Sequence, residues 1–331
     1  MDNVTHSLTG LALARAGLDR LCPRATLLLL LSANAPDCDI VMLARGQLPY
    51  FEAHRGYTHS LLLLPVMALV CVLVTAALCR EKLPWGRAWL VCGFGLSSHL
   101  LLDWTNSYGI RPFIPFSSRW FHLDWNGLYD WSILAMLTIA SVWPLLSRLV
   151  SGEIGDRPRT GRGIAGFALI FLVLFDAARA TLHDRAVEKL ESRLYDGEPP
   201  VSVAALPLSL SPFRWKGVVE TAGAYRAMPV DTTSALEPEN AAIFYKPQWT
   251  NTLQSVQREE AFRFFRYFAR FPVWSQQTVI WKESEARRIE LADLRFGSPG
   301  VGSFHCVAIA DTAGRVLESW FTYSDGQSSS K

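Results

Sequence analysis

The sequence HRGYTHSLLLLPVMALVCVLVTAALC, residues 54–79, indicates the fold of this chain more strongly than any other stretch. It joins a polar segment with two histidines to a long apolar run. The run from Ser60 to Cys79 is as long as a helix must be to cross about 30 Å of hydrocarbon. It therefore predicts a membrane-spanning helix with polar side chains at one end.

Other apolar runs predict that this helix is one of several spans. Three runs predict full spans, namely Ala88 to Asp103, Leu128 to Val150 and Gly163 to Leu182. Two shorter helices, Val4 to Leu18 and Ala25 to Leu43, either cross the bilayer or dip into it and return. The first half of the chain is thus predicted to be an α-helical polytopic membrane domain, with boundaries 1–183.

The second half has the composition of a soluble domain, because apolar runs stop near residue 182 although hydrophobic residues make up 50% of the whole chain. A helix is expected to about Leu194 and a proline-rich connector from Pro199 to Pro212. A hairpin is expected from Phe213–Thr221 and Ala224–Met228, and a helix from Glu259 to Arg270. Further strands are predicted at Thr278–Lys282, Glu285–Asp293, Ser303–Ala310 and Val316–Tyr323, the last two forming a pair. Residues 184–331 are therefore predicted to be a small α+β domain with an antiparallel sheet.

Basic residues in short loops predict which end of the membrane domain faces the cytoplasm, since positive residues are retained on that side. They occur in three loops, at Arg15, Arg20 and Arg24, at Arg80, Lys82 and Arg87, and at Arg148, Arg157, Arg159 and Arg162. The opposite, extracytoplasmic end then carries the C-terminal domain and the polar segments of the helices. Four arginines weaken the asymmetry there and can bind an anionic substrate: Arg45, Arg55, Arg111 and Arg119.

Most histidines of the chain lie in polar segments at the ends of apolar runs. The segments are Thr5-His6-Ser7, Asn34 to Asp39, His54 to Ser60, and His99 with Asp103. Histidine and aspartate at membrane depth are costly unless they are paired or bind a cation. Each histidine alone is explained as a hydrogen-bonded residue at a helix end, but four histidines and three aspartates on one face favour a divalent metal. Mixed nitrogen and oxygen ligands suit zinc first, with manganese or iron as alternatives.

The spacing of these residues fits metal ligation. His99 and Asp103 are four residues apart on a predicted helix, so both side chains lie on one face. Asp37 and Asp39 follow a proline and are expected in an extended or turn segment, where one binds metal and the other supports a histidine. Asp37 is the preferred bridging ligand. His54 and His59 flank a glycine that permits a tight bend, and at least one is expected to be a ligand.

The loop from Trp104 to Asp130 offers a second pair of candidates. His122 and Asp124 can complete a second metal position or activate water, but an interfacial loop held by hydrogen bonds explains them equally well. Its tryptophans suit the membrane interface.

Other features carry no site. Cys38 is interpreted as a small buried filler rather than a soft metal ligand, and His183 and His305 as structural histidines. The six cysteines form neither a zinc-knuckle spacing nor a disulfide framework. A formal charge of +2 without a polybasic stretch gives no support for a nucleic-acid partner.

Four motifs together resemble a known family. They are His6-Ser7-Leu8-Thr9-Gly10, Ala35-Pro36-Asp37-Cys38-Asp39, His54-Arg55-Gly56-Tyr57-Thr58-His59-Ser60 and His99-Leu100-Leu101-Leu102-Asp103. They are similar to those of the LexA-regulated, membrane-bound, metal-dependent hydrolases of bacteria. The resemblance covers about the first 130 residues, and Pro212-Phe213-Arg214-Trp215 resembles a segment of longer members. It implies a metal, a hydrolase activity and a multi-pass location in the bacterial inner membrane.

A more distant similarity connects the same residues to the zinc-dependent phospholipase C and P1-type nuclease group, whose members cleave phosphate esters with a zinc cluster. The ligand order of that group maps to His6, Asp37 or Asp39, His54 or His59, His99 and Asp103. The final His-x-x-x-Glu pair of that group has no clear counterpart here, so one or two metals are expected.

These observations lead to the hypothesis of a membrane-bound hydrolase that cleaves a phosphate ester of a lipid or lipid-linked substrate. The expected metal ligands are His6, Asp37, His54, His59, His99 and Asp103. Asp39 is expected to orient a ligand or accept a proton, and Arg55 to neutralise the leaving phosphate. Two alternatives remain open. One is a membrane protein that binds or transports a metal, and the other is a non-catalytic, stress-induced membrane protein.

Overall fold

The computed structural model of the protein describes residues 1–154, 161–302 and 304–323. Arg157 and Arg159 of the predicted cytoplasmic loop and Ser303 of a predicted strand lie outside the described residues, as does the side chain of Arg148. The chain forms two compact units. The helical unit contains Met1–Ile40, Ala53–Asp184 and Pro207–Phe213, and the β unit contains Val41–Glu52, Arg185–Leu206 and the chain from Arg214.

Helices make up most of the N-terminal half of the described chain, and two short helices lie in the C-terminal half. In chain order they are α1 (Asn3–Ala16), α2 (Ala25–Ser32), α3 (Gln47–Ala53), α4 (Leu64–Cys79), α5 (Trp85–Trp104), α6 (Trp131–Ile154), α7 (Arg162–Glu191), α8 (Asn251–Val256) and α9 (Glu260–Phe268). Short 3-10 helices lie at Leu18–Arg20, Ala35–Arg45, Tyr57–His59 and Pro238–Asn240.

The described helices include fewer continuous spans than the sequence predicts. Arg162–Glu191 alone is long and apolar enough to cross a membrane as one helix. Two bent pairs raise the number of candidate spans to 3: Ala25–Ser32 with Ala35–Arg45, bent by 45°, and Gln47–His59 with Leu64–Cys79, bent by 91°. The predicted span from Ser60 begins as a helix only at Leu64, because Ser60 has an extended backbone. The polytopic arrangement therefore stays a prediction.

Two apolar cores hold the helical unit together, and α1 contributes to both. Leu28 and Leu29 of α2 pack with Val72 of α4 and Leu96 of α5, together with the C-terminal end of α1. On its other side α1 packs against α6 and α7 through Ala12. α1 is thus fixed between two sets of helices, and its N-terminal turn has a defined place.

Two glycines allow α1 and α5 to approach α2 closely. A Cβ atom on Gly10 would lie 2.8 Å from the carbonyl oxygen of Leu29, and one on Gly95 would lie 3.2 Å from the backbone nitrogen of Ala33. Gly10 is four residues from His6, and Gly95 is four residues from His99. Since residues four apart lie on the same helix face, both histidines face the end of α2.

The basic loops lie together at one end of the helical unit. Arg24 pairs with Glu81 at 2.6 Å, and Arg162 lies 3.5 Å from Asp19. The prediction that these loops share one end is confirmed for their described residues. His99 lies near the far end of α5, about 20 Å along the helix from its first turn.

The β unit contains ten strands in the described part of the chain. They are β1 (Ser202–Leu208), β2 (Ser211–Glu220), β3 (Ala224–Asp231), β4 (Ala242–Tyr245), β5 (Pro272–Trp281), β6 (Ser284–Asp293), β7 (Gly297–Ser298), β8 (Val301–Gly302), β9 (His305–Asp311) and β10 (Val316–Thr322). They form two four-stranded sheets, β1-β2-β3-β4 and β10-β9-β6-β5, and a ribbon of β7 and β8. Their described pairings are antiparallel. The predicted antiparallel sheet is therefore present as two sheets.

The local predictions for this half were mostly confirmed. β2 and β3 form the predicted hairpin, in which Glu220 pairs with Tyr225, and β9 pairs with β10. The proline-rich connector was wrong, because part of that stretch forms β1 and its central residues are buried. Pro207 is compatible with this strand, since β1 lies at a sheet edge, where a missing backbone N–H is tolerated.

The core of the β unit is aromatic and includes a residue from the first half of the sequence. Phe51 of α3 is fully buried and stacks on Phe321 at 4.4 Å between ring centroids. It also contacts the rings of Phe265 and Phe268, which lie on the buried face of α9. The helix predicted at Glu259–Arg270 is thereby confirmed, and the segment Val41–Glu52 belongs structurally to this unit.

Candidate metal centre

Four side chains bring nitrogen and oxygen atoms together inside the helical unit. They are Asp37, His59, His99 and Asp103, and one ligand atom of each lies within 4.8 Å of the others. The side chains of His59, His99 and Asp103 are fully buried, and that of Asp37 is 14% exposed. The cluster therefore lies in the interior and reaches the surface through Asp37.

The distances within this cluster fit a tetrahedral ion. Nε2 of His59 lies 3.1 Å from Nε2 of His99 and 3.2 Å from Oδ2 of Asp103, and His99 Nε2 lies 3.3 Å from the same oxygen. Oδ1 of Asp37 lies 3.8 Å from His59 Nε2 and 3.6 Å from His99 Nε2. A zinc ion with ligands at about 2.0–2.1 Å separates its ligand atoms by about 3.4 Å. The four residues therefore fit a metal of this size and ligand preference.

Hydrogen bonds on the far sides of the imidazole rings orient both histidines. Nδ1 of His99 donates to the carbonyl oxygen of Ala33 at 2.7 Å. The Thr58 hydroxyl donates to Asp39, and its oxygen accepts from Nδ1 of His59 at 3.0 Å. Both Nε2 atoms then carry lone pairs toward the centre, alongside two carboxylate oxygens. Four such acceptors repel one another unless a cation lies between them.

Local structure explains why Asp37 and Asp39 have different neighbours. The predicted extended or turn segment is a 3-10 helix, Ala35–Arg45. On a helix with three residues per turn, side chains that are two residues apart point in different directions. Asp37 therefore faces the four-residue cluster, while Asp39 faces the segment that contains His54.

Asp39 holds the 54–58 segment in place. Its carboxylate accepts from Nδ1 of His54 at 3.0 Å, from the backbone N–H of Arg55 at 3.1 Å and from the Thr58 hydroxyl at 3.1 Å. Asp37, Asp39 and His54 also form a second group whose potential ligand atoms lie within 4.8 Å of one another. Asp37 is common to both groups, as a bridging ligand would be.

The two oxygens of Asp103 have separate partners. Oδ2 faces the two histidines, while Oδ1 accepts from Nη2 of Arg55 at 2.9 Å and from Nδ2 of Asn106 at 3.3 Å. The α-amino group of Met1 also forms an ion pair with Oδ1. Positive and polar groups on one oxygen thus compensate the buried carboxylate and fix the direction of the other oxygen.

Arg55 is a buried residue with several partners inside the protein. Its Nη1 donates to Oδ1 of Asn106 at 3.0 Å, and its guanidinium lies 4.8 Å from the ring centroid of Tyr108. Its backbone has a positive φ of 54°. These contacts place the guanidinium beside Asp103, so it orients a candidate ligand.

His6 lies next to the cluster but outside the four-residue group. Its ring stacks on that of His99 with centroids 3.8 Å apart, and its Nε2 lies 3.5 Å from Oδ1 of Asp103. Neither of its buried ring nitrogens makes a hydrogen bond to the described residues. A buried imidazole of this kind beside a candidate metal position suits the predicted ligand role.

The other polar candidates lie apart from these groups. His122 contacts Asp124 at 3.3 Å, and neither belongs to the candidate metal-binding groups of the described residues. His183 lies beside Asp184, and His305 lies 4.0 Å from Glu290 in the β unit. Cys38 is exposed.

Asn106, for which no role was predicted, connects several parts of the candidate centre. Its Oδ1 accepts from Arg55 and from the backbone N–H groups of Tyr108 and Gly109, while its Nδ2 donates to Asp103. An asparagine side chain that accepts from the backbone two residues later is typical of a turn. The sequence Asn106-Ser107-Tyr108-Gly109, which follows the end of α5, is the signal from which this turn could have been predicted.

Comparisons with known proteins connect this helical half to membrane proteins. Residues 1–183 match the profile of a family described as YdjM inner membrane protein. Uncharacterized protein YfhP of Bacillus subtilis is 24% identical over 321 residues, which cover 91% of this chain and 88% of YfhP. Inner membrane protein YbcI of Escherichia coli is 32% identical over 128 residues, which cover 37% of this chain and 72% of YbcI. No solved structure matches.

Proposed function

Since this chain belongs to the YdjM inner membrane protein family, we propose that it is a metal-dependent hydrolase of the bacterial inner membrane. The observation that carries the proposal is the convergence of His59 Nε2, His99 Nε2, Asp37 Oδ1 and Asp103 Oδ2 in the interior of the helical unit. Buried hydrogen-bond acceptors that face one another do not stabilise the fold by themselves. Mixed nitrogen and oxygen acceptors in this arrangement suit zinc, with manganese or iron as alternatives. The same residues are those expected from the resemblance to metal-dependent hydrolases.

The residues of the centre divide into those that hold the ion and those that orient them. His59, His99, Asp37 and Asp103 would hold it, with His6 or His54 adjacent. A bound divalent cation supplies Lewis acidity and lowers the pKa of a water ligand to about 7.

Three groups keep these ligands in place. The Ala33 carbonyl fixes the ring of His99, Asp39 fixes His54 and, through Thr58, His59, and Arg55 fixes Asp103. Asp37, the candidate ligand that reaches the surface, marks the side from which substrate would approach.

The proposed substrate is a phosphate ester of a lipid or lipid-linked molecule. Phosphate oxygens suit a divalent cation, and a membrane protein with a site beside its apolar helices meets lipids first. We also infer a multi-pass arrangement with the centre and the C-terminal domain on the extracytoplasmic side. It is supported by the joined basic loops at the other end of the helical unit, which the positive-inside rule assigns to the cytoplasm.

The test combines metal analysis with activity on detergent-purified protein. Wild type, His99→Ala and Asp103→Asn are compared by elemental analysis and on a panel of phospholipids and phosphodiesters. Ser98→Ala is the matched control, because Ser98 is the neighbour of His99 on α5 and donates only to the helix backbone. We expect metal content and the rate of hydrolysis to fall together in the two site variants and to stay unchanged in the control.

Two results would contradict the proposal. Stoichiometric metal in wild type without turnover of any substrate would overturn the hydrolase assignment and leave a metal-binding protein. A folded wild type that contains and binds no divalent metal would overturn the centre itself.

A further inference from the structure

A cavity of about 770 Å³ lies in the helical unit between α2 and α4, and its two ends differ in chemistry. One end is lined by Ser7, Asn34 and Cys38, the other by Leu31, Val70 and Val74. Pockets of 300–1,000 Å³ are typical of small-molecule sites. A cavity that is polar at one end and apolar along the rest fits a ligand with a polar group at one end of an apolar chain.

The polar end adjoins the candidate metal centre along the chain at three points. Ser7 follows His6, Asn34 follows the residue whose carbonyl holds His99, and Cys38 lies between Asp37 and Asp39. The Asn34 amide donates to the Ser7 hydroxyl at 3.0 Å, which ties the end of α2 to α1. The backbone N–H of Asp37 donates to the carbonyl oxygen of Asn34 at 3.2 Å, so this polar pair lies one turn from the candidate ligand that reaches the surface.

The apolar end opens on the outer surface of the helices. Val70 is 50% exposed and Val74 is 43% exposed, although both line the cavity. From Met67 to Val74 the cavity follows α4 for two helical turns, about 10 Å. In a membrane protein an apolar surface of this kind faces hydrocarbon, so the cavity is open to lipid from the side.

We propose that this cavity binds one acyl chain of a membrane phospholipid and places its phosphate beside Asp37. The inference rests on the proposed function, for which it supplies the substrate class and the direction of approach. The apolar wall of α2 and α4 holds the chain. Ser7 and Asn34, whose protons are donated to the carbonyl oxygens of Asn3 and Leu30 and to the Ser7 hydroxyl, form the polar boundary beside the head group.

A second cavity, of about 480 Å³, provides a contrast within the same unit. It lies beside α5 and is lined by apolar side chains such as Leu61, Leu101 and Phe113, with Ser97 as the only hydroxyl. It lacks a polar end next to Asp37. A substitution there therefore tests the effect of filling an apolar cavity that is not the proposed site.

The experiment is photo-crosslinking in bilayer nanodiscs of phosphatidylethanolamine and phosphatidylglycerol, with a diazirine in the acyl chain of the phosphatidylglycerol. Labelled peptides are identified by mass spectrometry in wild type, Val70→Trp, Val74→Trp and the control Leu101→Trp. In wild type, label is expected on the segments of α2 and α4 that line the cavity. Each indole excludes at least two methylene groups, so labelling there is expected to fall about tenfold in the first two variants only.

Metal content and hydrolysis measured on the same samples separate this inference from the proposed function. If the cavity is labelled in wild type and only Val70→Trp and Val74→Trp reduce the label, acyl-chain binding is supported. That result holds even if no substrate is hydrolysed, and a lack of hydrolysis would count against the hydrolase assignment alone. Hydrolysis of phospholipid with no label in the cavity, or with label that these two variants do not reduce, would overturn the cavity assignment and leave the hydrolase standing. An equal loss of label in Leu101→Trp would also overturn it.

Discussion

Asp39→Asn tests whether Asp39 positions the ligands of the proposed metal centre. The carboxylate is buried, and its two oxygens accept from His54, from the Arg55 backbone N–H and from the Thr58 hydroxyl at 3.0–3.1 Å. Asparagine offers one oxygen, so in either orientation its amide N–H₂ faces a donor. Losing one or two hydrogen bonds to a charged group, at about 1.5–3 kcal/mol each, is expected to lower the free energy of unfolding by about 1.5–6 kcal/mol. Loss of a residue that orients metal ligands is expected to weaken metal affinity 10–100-fold.

The assay is a competition titration with a zinc chelator on detergent-purified wild type and Asp39→Asn. Asp130→Asn is the matched control, because Asp130 is also a buried carboxylate that accepts from backbone N–H groups, at the start of α6, and has no candidate ligand as partner. Its metal affinity should equal that of wild type, since asparagine is a good helix cap. Wild-type affinity in Asp39→Asn would refute the positioning role, and lost turnover with unchanged affinity would assign Asp39 to proton transfer instead.

Three further predictions concern packing and charge. Gly95→Ala should lower the free energy of unfolding by about 1–3 kcal/mol and reduce metal binding, because its Cβ meets α2, whereas Gly93→Ala on the same helix meets nothing within 4 Å and should be neutral or stabilising. Denaturant titrations and metal content compare the two. Phe51→Ala should destabilise the β unit by about 3–5 kcal/mol, seen as a lower urea midpoint of its unfolding, because the ring is fully buried; an unchanged midpoint would contradict its place in that core. Burial lowers the pKa of Lys216, so in wild type the unfolded chain binds more protons between that pKa and about 10.4, and stability should rise with pH in that window. Lys216→Met should reduce the slope of stability against pH in this window. A slope equal to that of wild type would contradict Lys216 as its cause.

The candidate centre was predicted from residue types in an unfavourable environment. Polar residues at the ends of apolar runs need a partner, and the i, i+4 spacing of His99 and Asp103 places them on one helix face whatever surrounds them. Polarity at the end of an apolar run and the spacing along a helix are local features, so tertiary contacts were not needed to predict them. The hairpin of β2 and β3 was predicted for the same reason, since alternating strands and a short turn specify their own pairing.

Other features depend on residues that are distant in the sequence. The β1 strand was missed because the prolines and serines of residues 199–212 resemble a loop, while its pairing with β2 decides its structure. Phe51 was assigned no role because only the packed β unit surrounds it with aromatic rings. The local sequence pattern predicts neither the β1 strand nor the burial of Phe51.

The sequence by itself predicted which side chains could compose the candidate centre and that its helices are apolar, because histidine and aspartate in apolar helices are costly without a partner. Only the tertiary structure decided which atom of each side chain faces the centre. Oδ2 of Asp103 faces the histidines because Arg55 and Asn106 occupy Oδ1, and Asp37 rather than Asp39 joins His59 because a 3-10 helix turns the two apart. The contact of Arg55 with Asp103 joins residues 48 positions apart, so it forms only when the helices pack.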